Sequence, residues 1–170
     1  MPQGRARGSF IPDPLTGPEP MKEIRTTTDI HSTPEKVWGV LTDFGAYPQW
    51  NPFITKAGGA LEPGEQLELQ LEPPGSHPRM LRPTLLEADP TRELRWHGRL
   101  GFLGLLEAYH TVSIVPKGAN RTHVIARTTF SGPIVAFYTQ LIETNLREGF
   151  EGMCRALKAR VQGPGGPGGT

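Results

Sequence analysis

The hydrophobic period of the sequence changes close to residue 134 and keeps the new spacing to about residue 161, and this change limits the folds open to the chain. Upstream, apolar and polar residues alternate, as at Leu67, Leu69 and Leu71, which is typical of strands buried on one face. Downstream, apolar residues recur at steps of three and four, which predicts one helix over 134–161. Strand-like segments with short turns predict an antiparallel sheet. Because the terminal helix alone is large enough to cover that sheet, we expect an α+β fold.

The predicted strand over 23–31 is followed by two short helices. It ends at Ser32-Thr33-Pro34-Glu35, which has the S-x-x-E form of a capping box, with proline near the first helical position. A short helix should run through Leu41, and a second helical turn should end at the corner Trp50-Asn51-Pro52. The remaining predicted strands are 53–57, 66–72, 80–88, 93–99, 105–116 and 122–131. Together these segments predict a curved sheet of about six to seven strands.

Composition separates one domain from two tails. Glycine (21) and proline (18) total 39 of the 170 residues, with eight in 1–20 and seven in 163–170. We therefore predict disordered tails over 1–20 and 163–170 around one domain over 21–162. The charges balance, with 18 Lys and Arg against 17 Asp and Glu, so we expect no nucleic-acid partner. No apolar run approaches the roughly 18 residues of a membrane span, and the N-terminus has no apolar core of a secretory signal.

The single cysteine and the absence of known metal-binding and phosphate-binding motifs limit the kinds of site that the chain can form. The single cysteine, Cys154, rules out an internal disulfide and fits a reducing compartment, so we expect a cytoplasmic protein. No histidine lies near Cys154 in the sequence, which favours a packing role over a reactive one. The sequence holds no CxxC, no HExxH and no glycine-rich phosphate loop. We predict no metal site and no cofactor.

Several short segments, in this order, are similar to one known superfamily. They are 30–38 (IHSTPEKVW), 41–44 (LTDF), 47–52 (YPQWNP), 130–132 (FSG) and 150–153 (FEGM). Together they resemble the START/polyketide cyclase-like (SRPBCC) superfamily, and within it the polyketide cyclase/dehydrase branch, over residues 22–161. The resemblance implies the helix-grip fold, in which the curved sheet wraps around the long C-terminal helix. That superfamily includes cyclases, lipid carriers, hormone receptors and non-catalytic binding proteins, so the fold leaves the activity open.

Strand alternation predicts which side chains face the concave side of the sheet. In 105–116 the inward register is apolar except for His110, and the same logic places Trp96 and Thr128 inward. A buried imidazole with a pKa near 6.5 can act as a general acid or base, or hold a ligand carbonyl. A core histidine satisfied by a backbone carbonyl or a water fits the same pattern. The candidate catalytic residue is therefore His110.

The predicted ligand-binding residues surround the same space. They are Trp50, Asn51, Leu69, Trp96, His110, Thr128, Tyr138 and Asn145. Asn145 is polar on an apolar helical stripe, where it either binds a ligand or satisfies a buried polar group. Trp50 and Asn51 lie between prolines, so a rigid structural corner is the alternative to a role at the cavity mouth. Gly149 allows either close backbone packing or room for a ligand. The apolar loop 101–106 suits a gate or a homodimer contact.

Two functions fit these residues best. The first is binding of a small, largely hydrophobic molecule, lipid or polyketide-like, between sheet and helix; this hypothesis fails if the cavity is below about 200 Å³, which is too small for the usual ligands. The resemblance implies an alternative, a cyclase/dehydratase-type lyase or isomerase in which His110 transfers a proton on a carbonyl substrate. A third hypothesis is an interaction protein without a ligand. The sequence leaves open whether any reaction is catalysed.

Overall fold

The computed structural model describes residues 21–100 and 102–163. Strand β1 (Met21–Ile30) is followed by helix α1 (Pro34–Thr42), a 3-10 turn (Phe44–Ala46) and helix α2 (Tyr47–Trp50). The strands that follow are β2 (Ile54–Gly58), β3 (Glu68–Leu71), β4 (Arg79–Leu81), β5 (Thr84–Asp89), β6 (Glu93–Leu100), β7 (Leu106–Pro116) and β8 (Thr122–Ser131). A 3-10 turn, Phe102–Gly104, joins β6 to β7. The predicted α+β class is confirmed. The predicted tails lie outside the described residues, except for Gly163.

The strands form two antiparallel sheets within the described residues. One is a curved five-stranded sheet in the order β1-β8-β7-β6-β5, and the other has the order β2-β3-β4. The sequence predicted one strand over 80–88, but the chain breaks it between β4 and β5, because Pro83 has no N–H to give to a ladder. Backbone hydrogen bonds of 2.8 Å join the sheets across this break, from Leu67 N to Pro83 O and from Leu85 N to Glu65 O.

The first helix begins one residue later than the capping box predicts. Thr33 is the N-cap, and its Oγ1 accepts a hydrogen bond of 3.4 Å from the backbone N–H of Lys36. Pro34 takes the first helical position, which agrees with the prediction of a proline near the helix start. The backbone carbonyl of Ser32 instead accepts a 2.7 Å hydrogen bond from the hydroxyl of Thr122, at the start of β8. This bond ties the end of β1 to the sheet.

The long C-terminal helix is present, but it is not one regular α-helix. It consists of a 3-10 turn (Val135–Tyr138), a π-helix (Leu141–Leu146) and α3 (Arg147–Gln162). We call residues 135–162 the terminal helical segment. In a π-helix each backbone N–H bonds to the carbonyl five residues earlier, instead of four as in an α-helix. Side chains five residues apart therefore lie on the same face. The inward stripe predicted with α-helical spacing is therefore displaced by one residue beyond Leu141.

Helix α3 packs directly against the chain that follows α2. A Cβ on Gly149 would lie 2.5 Å from Cδ2 of Phe53, closer than real side chains approach. Gly149 is therefore needed for close packing against an aromatic ring, and it does not leave room for a ligand. Cys154, also on α3, is buried with its Sγ 3.2 Å from the Thr26 hydroxyl. Burial raises the pKa of this thiol, which agrees with a packing role.

Candidate ligand-binding cavity

A cavity lies between the two sheets and the terminal helical segment. Its walls are mostly apolar side chains from β2, β3, β6, β7 and β8 and from that segment. The volume open to the centres of water-sized molecules is about 80 Å³, whereas all the space between the lining residues, open side included, is about 850 Å³. The first volume is below the roughly 200 Å³ named above, so by that criterion the hypothesis of a ligand held wholly inside the cavity fails. The larger volume includes the open side of the cavity.

The deep end of the cavity holds a hydrogen-bonded pair from neighbouring strands. His110 on β7 and Thr128 on β8 are register partners, and each is 3% exposed. Nδ1 of His110 and the Thr128 hydroxyl oxygen are 2.7 Å apart. The imidazole is held between two aromatic rings, with centroids 4.5 Å away at Trp96 and 5.0 Å away at Phe150. These contacts fix the plane of the ring.

The other ring nitrogen of His110 is unsatisfied. Nε2 is buried and has no hydrogen-bond partner among the described residues. Burial in this apolar site lowers the pKa of His110 to about 3, far from the value near 6.5 assumed from the sequence. The imidazole is therefore neutral at pH 7. Because the Thr128 hydroxyl can donate or accept, Nε2 can carry the proton and donate, or accept a hydrogen bond from a ligand hydroxyl.

Most of the predicted ligand-binding residues lie together in this cavity. The lining includes Leu69, Trp96, His110, Thr128 and Tyr138. Strand alternation correctly predicted that the first four face the cavity, because successive side chains of a strand point to opposite faces of the sheet.

Trp50 and Asn51 are not part of the lining. Oδ1 of the buried Asn51 accepts hydrogen bonds from two backbone N–H groups, those of Phe53 at 3.0 Å and Ile54 at 2.8 Å. The Trp50 ring packs edge-on against Tyr47, with centroids 5.0 Å apart. Trp50 and Asn51 therefore form a rigid structural corner, the alternative named in the sequence analysis. This corner orients β2 and lies outside the cavity lining.

Asn145 also lies outside the lining, and the π-helix is the reason. The residues that follow Leu141 in the cavity wall are Leu146 and Phe150, in place of the predicted Asn145 and Gly149. The Asn145 side chain is half-buried beside the β3–β4 loop, where a Cβ on Gly75 would lie 3.4 Å from its Nδ2. A sequence analysis that assumes α-helical spacing cannot place this residue.

The predicted gate loop contributes Leu106 to the cavity wall. Leu100 and Leu106 line the cavity, whereas Leu103 at the loop tip is 79% exposed and Leu105 is 40% exposed. Leu103 has a φ of 55°, a left-handed conformation that is unfavourable for leucine. Gly101 lies outside the described residues.

Sequence reasoning missed two polar residues at the open side, Ser76 and Arg79. Arg79 begins β4, one residue before the predicted strand, so no inward face was assigned to it. Among residues 21–100 and 102–163, no group of three or more His, Cys, Asp or Glu could hold a metal ion. No helix in that part of the chain is long and apolar enough to cross a membrane.

Solved structures show the same fold. Truncated norcoclaurine synthase from Thalictrum flavum is 18% identical, with a TM-score of 0.66 over 85% of this chain and 95% of that one. Zhui aromatase/cyclase from Streptomyces sp. R1128 is 18% identical, with a TM-score of 0.65 over 86% and 99%. A START superfamily protein from Mycobacterium smegmatis is 22% identical, with a TM-score of 0.56 over 79% and 98%.

Sequence comparisons identify a family and no curated relative. A search of curated protein sequences found no match to the chain. The profile of one family, described as "Polyketide cyclase / dehydrase and lipid transport", matches residues 21–162. The matched range covers most of the chain and every strand and helix described above. The chain belongs to the polyketide cyclase/dehydrase and lipid transport family.

Proposed function

We propose that this protein binds a small, largely apolar molecule in the cavity, with one polar atom of the ligand hydrogen-bonded to Nε2 of His110. The observation that carries the proposal is the unpaired Nε2, buried in an apolar cavity. Leaving such a group unsatisfied costs about 1–3 kcal/mol, and a ligand with a hydroxyl or carbonyl at that point recovers this cost. Family membership supports the proposal, since the family description includes lipid transport.

The size and shape of the cavity limit the ligand. The volume of about 80 Å³ that is open to the centres of water-sized molecules is enough for one end of a ligand, and the open side accommodates the rest. Because the walls are apolar and His110 is neutral, the enclosed end is uncharged and carries at most a few polar atoms. A ring or a short chain that ends in a hydroxyl or carbonyl meets these conditions.

Calorimetric titration with phenylbutanol tests the proposal. We expect binding by the unaltered protein, and a loss of at least about tenfold in affinity for Ala108→Leu, because Ala108 lines the cavity and a larger side chain fills it. Thr111→Leu is the matched control, since Thr111 lies on the same strand but on the opposite face. Absence of binding, or equal binding by both variants, contradicts the proposal. Native mass spectrometry of freshly purified protein would identify the natural ligand.

A second candidate function is a cyclase/dehydratase-type reaction on a carbonyl-bearing, polyketide-like substrate. The observation that favours it is the position of His110 in the cavity wall, with Nδ1 bonded to Thr128 and Nε2 buried without a described partner. With a pKa of about 3, His110 is a poor proton acceptor at pH 7, so its role would be to donate a hydrogen bond to a carbonyl oxygen. His110→Ala should then abolish turnover of such a substrate while binding persists; full turnover by this variant contradicts the candidate.

We also propose a cytoplasmic location and a homodimer. The location is supported by the single cysteine, which gives no internal disulfide. The dimer is supported by Leu103 and Leu105, two exposed apolar residues on one loop. Light scattering of the purified protein should give twice the mass of one chain, and Leu103→Ser should reduce it; a monomeric mass contradicts the dimer.

A further inference from the structure

Strand β4 places an arginine on the apolar face of the sheet. Arg79 and Leu81 line the cavity, whereas Met80 between them points outward and is 58% exposed. The register pairs Arg79 with Leu71 and Leu81 with Leu69, and both partners also line the cavity. Arg79 thus lies on the face that borders the apolar cavity, although its side chain stays exposed, while the apolar Met80 faces solvent. A local arrangement that opposes the usual burial of apolar side chains is expected at functional sites.

The charge of Arg79 has no counterion in the described part of the chain. None of the ion pairs or side-chain hydrogen bonds there involves Arg79, whereas the nearby Arg82, outside the cavity, pairs with Glu68 at 3.3 Å. Among the described residues that line the cavity, Arg79 carries the only formal charge at neutral pH, because His110 is neutral. A guanidinium so placed attracts a carboxylate or another anion and disfavours a cation.

Burial orders the polar groups along the cavity. His110 and Thr128 are almost fully buried and mark its deep end, whereas Ser76 is half-buried and Arg79 exposed, which places both at the open side. A ligand that reaches from His110 to solvent therefore has its outer end beside Arg79. At this position an anionic group keeps much of its hydration while the apolar body is buried, which avoids the high cost of enclosing a charge.

We propose that the ligand is an amphipathic anion, with an apolar body in the cavity and an acidic group paired with Arg79 at the open side. This inference rests on the proposed binding function and defines the chemical class of the ligand more narrowly. Ser76, which shares the open side, adds a hydroxyl donor for the same acidic group. An aryl or alkyl carboxylic acid is the simplest molecule of this class.

The test compares two probes of the same shape, phenylbutyrate (anionic) and phenylbutanol (neutral), by calorimetric titration at pH 7.5 in about 50 mM salt. We expect the unaltered protein to bind the anion about five- to tenfold more tightly than the alcohol. Arg79→Gln should remove this preference, because the guanidinium that pairs with the carboxylate is lost. Arg82→Gln, a matched loss of one positive charge outside the cavity, should keep the preference. In the unaltered protein, about 500 mM salt should reduce the preference, because it screens exposed charges.

The outcomes separate this inference from the proposed function. If the alcohol binds but the anion binds no better, or if Arg79→Gln keeps the preference, the inference is overturned and the binding function stands. An equal loss of preference in Arg79→Gln and Arg82→Gln also overturns it, because the effect is then one of overall charge. If the unaltered protein binds neither probe, the binding function is overturned and the inference with it.

Discussion

Replacing His110 by glutamine tests whether the deep end of the cavity is as apolar as the structure shows. Glutamine keeps a group that can hydrogen-bond to Thr128 but does not titrate. In the folded protein the pKa of His110 is about 3, whereas in the unfolded chain it is near 6.5. As the pH falls below about 6.5, the unfolded chain binds a proton at this position and the folded protein does not. The stabilisation from the neutral imidazole is therefore present above pH 6.5 and is lost as the pH falls.

The size of the effect follows from this difference in proton binding. Between pH 7.5 and pH 5, protonation of one histidine in the unfolded chain lowers the free energy of unfolding by about 2 kcal/mol, provided that the folded pKa is well below 5. The free energy of unfolding of the unaltered protein should thus fall by about 2 kcal/mol more over this range than that of His110→Gln. Other titrating groups, including Asp29 with its 3.0 Å contact to His123, cancel in the comparison.

Chemical denaturation followed by far-ultraviolet circular dichroism, at several pH values from 7.5 to 5, measures this difference. His77→Gln, in the exposed β3–β4 loop, is the matched control for removing a histidine. If the unaltered protein and His110→Gln lose stability in parallel, the folded imidazole takes up a proton as readily as the unfolded one. The deep end would then be hydrated, and the account of a dry cavity with an unpaired Nε2 would be wrong.

Further predictions concern packing and the shape of the cavity. Gly149→Ala should lower the free energy of unfolding by about 1–3 kcal/mol, because the added Cβ would overlap the Phe53 ring. In Gly152→Ala the nearest atom to the added Cβ is 3.8 Å away, so this variant should stabilise the helix by up to about 1 kcal/mol. Denaturation curves measure both changes. Asn51→Ala removes the acceptor of two buried amides and should cost about 1–3 kcal/mol in the same assay; an unchanged midpoint argues against the structural corner. Deleting the exposed Thr144 should convert the π-helix to an α-helix and keep Leu146 and Phe150 in the cavity wall, because Leu141 and Leu146 are then four residues apart; phenylbutanol affinity should change by less than about threefold, and a larger loss contradicts this account of the π-helix.

The strands that build the cavity were the most predictable part of the fold. The predicted limits of β7 and β8 agree with the structure to within one residue, because alternation is strict over ten or more residues and short polar turns bound it. The partition into two sheets was not predictable, since it depends on which strands pair across the break at Pro83. Strand pairing is a tertiary property, and the local pattern is the same in either arrangement.

Residues of the candidate site were predictable where the backbone geometry allows only one direction for the side chain. Trp96, His110 and Thr128 face inward because a strand offers two faces and only one of them is apolar. Asn145 was misplaced because a helix can change its number of residues per turn, and the apolar stripe of the sequence fits α-helical spacing as well. Arg79 was missed because a three-residue strand is too short for its alternation to be recognised.

Three local departures from what stability alone would favour meet at one cavity. Nε2 of His110 is buried without a described partner, Arg79 lines the cavity while Met80 is exposed, and the π-helix contributes Leu141 and Leu146 to the wall. The unpaired ring nitrogen and the π-helix are each unfavourable for the ligand-free fold. Buried polar atoms without a described partner also lie outside the cavity, on Trp50, Asn51, Arg95 and His97, so an unpaired atom alone does not mark a site. What favours a function inside the cavity, over an interaction protein without a ligand, is that the unpaired His110 and the charged Arg79 both line the same apolar space.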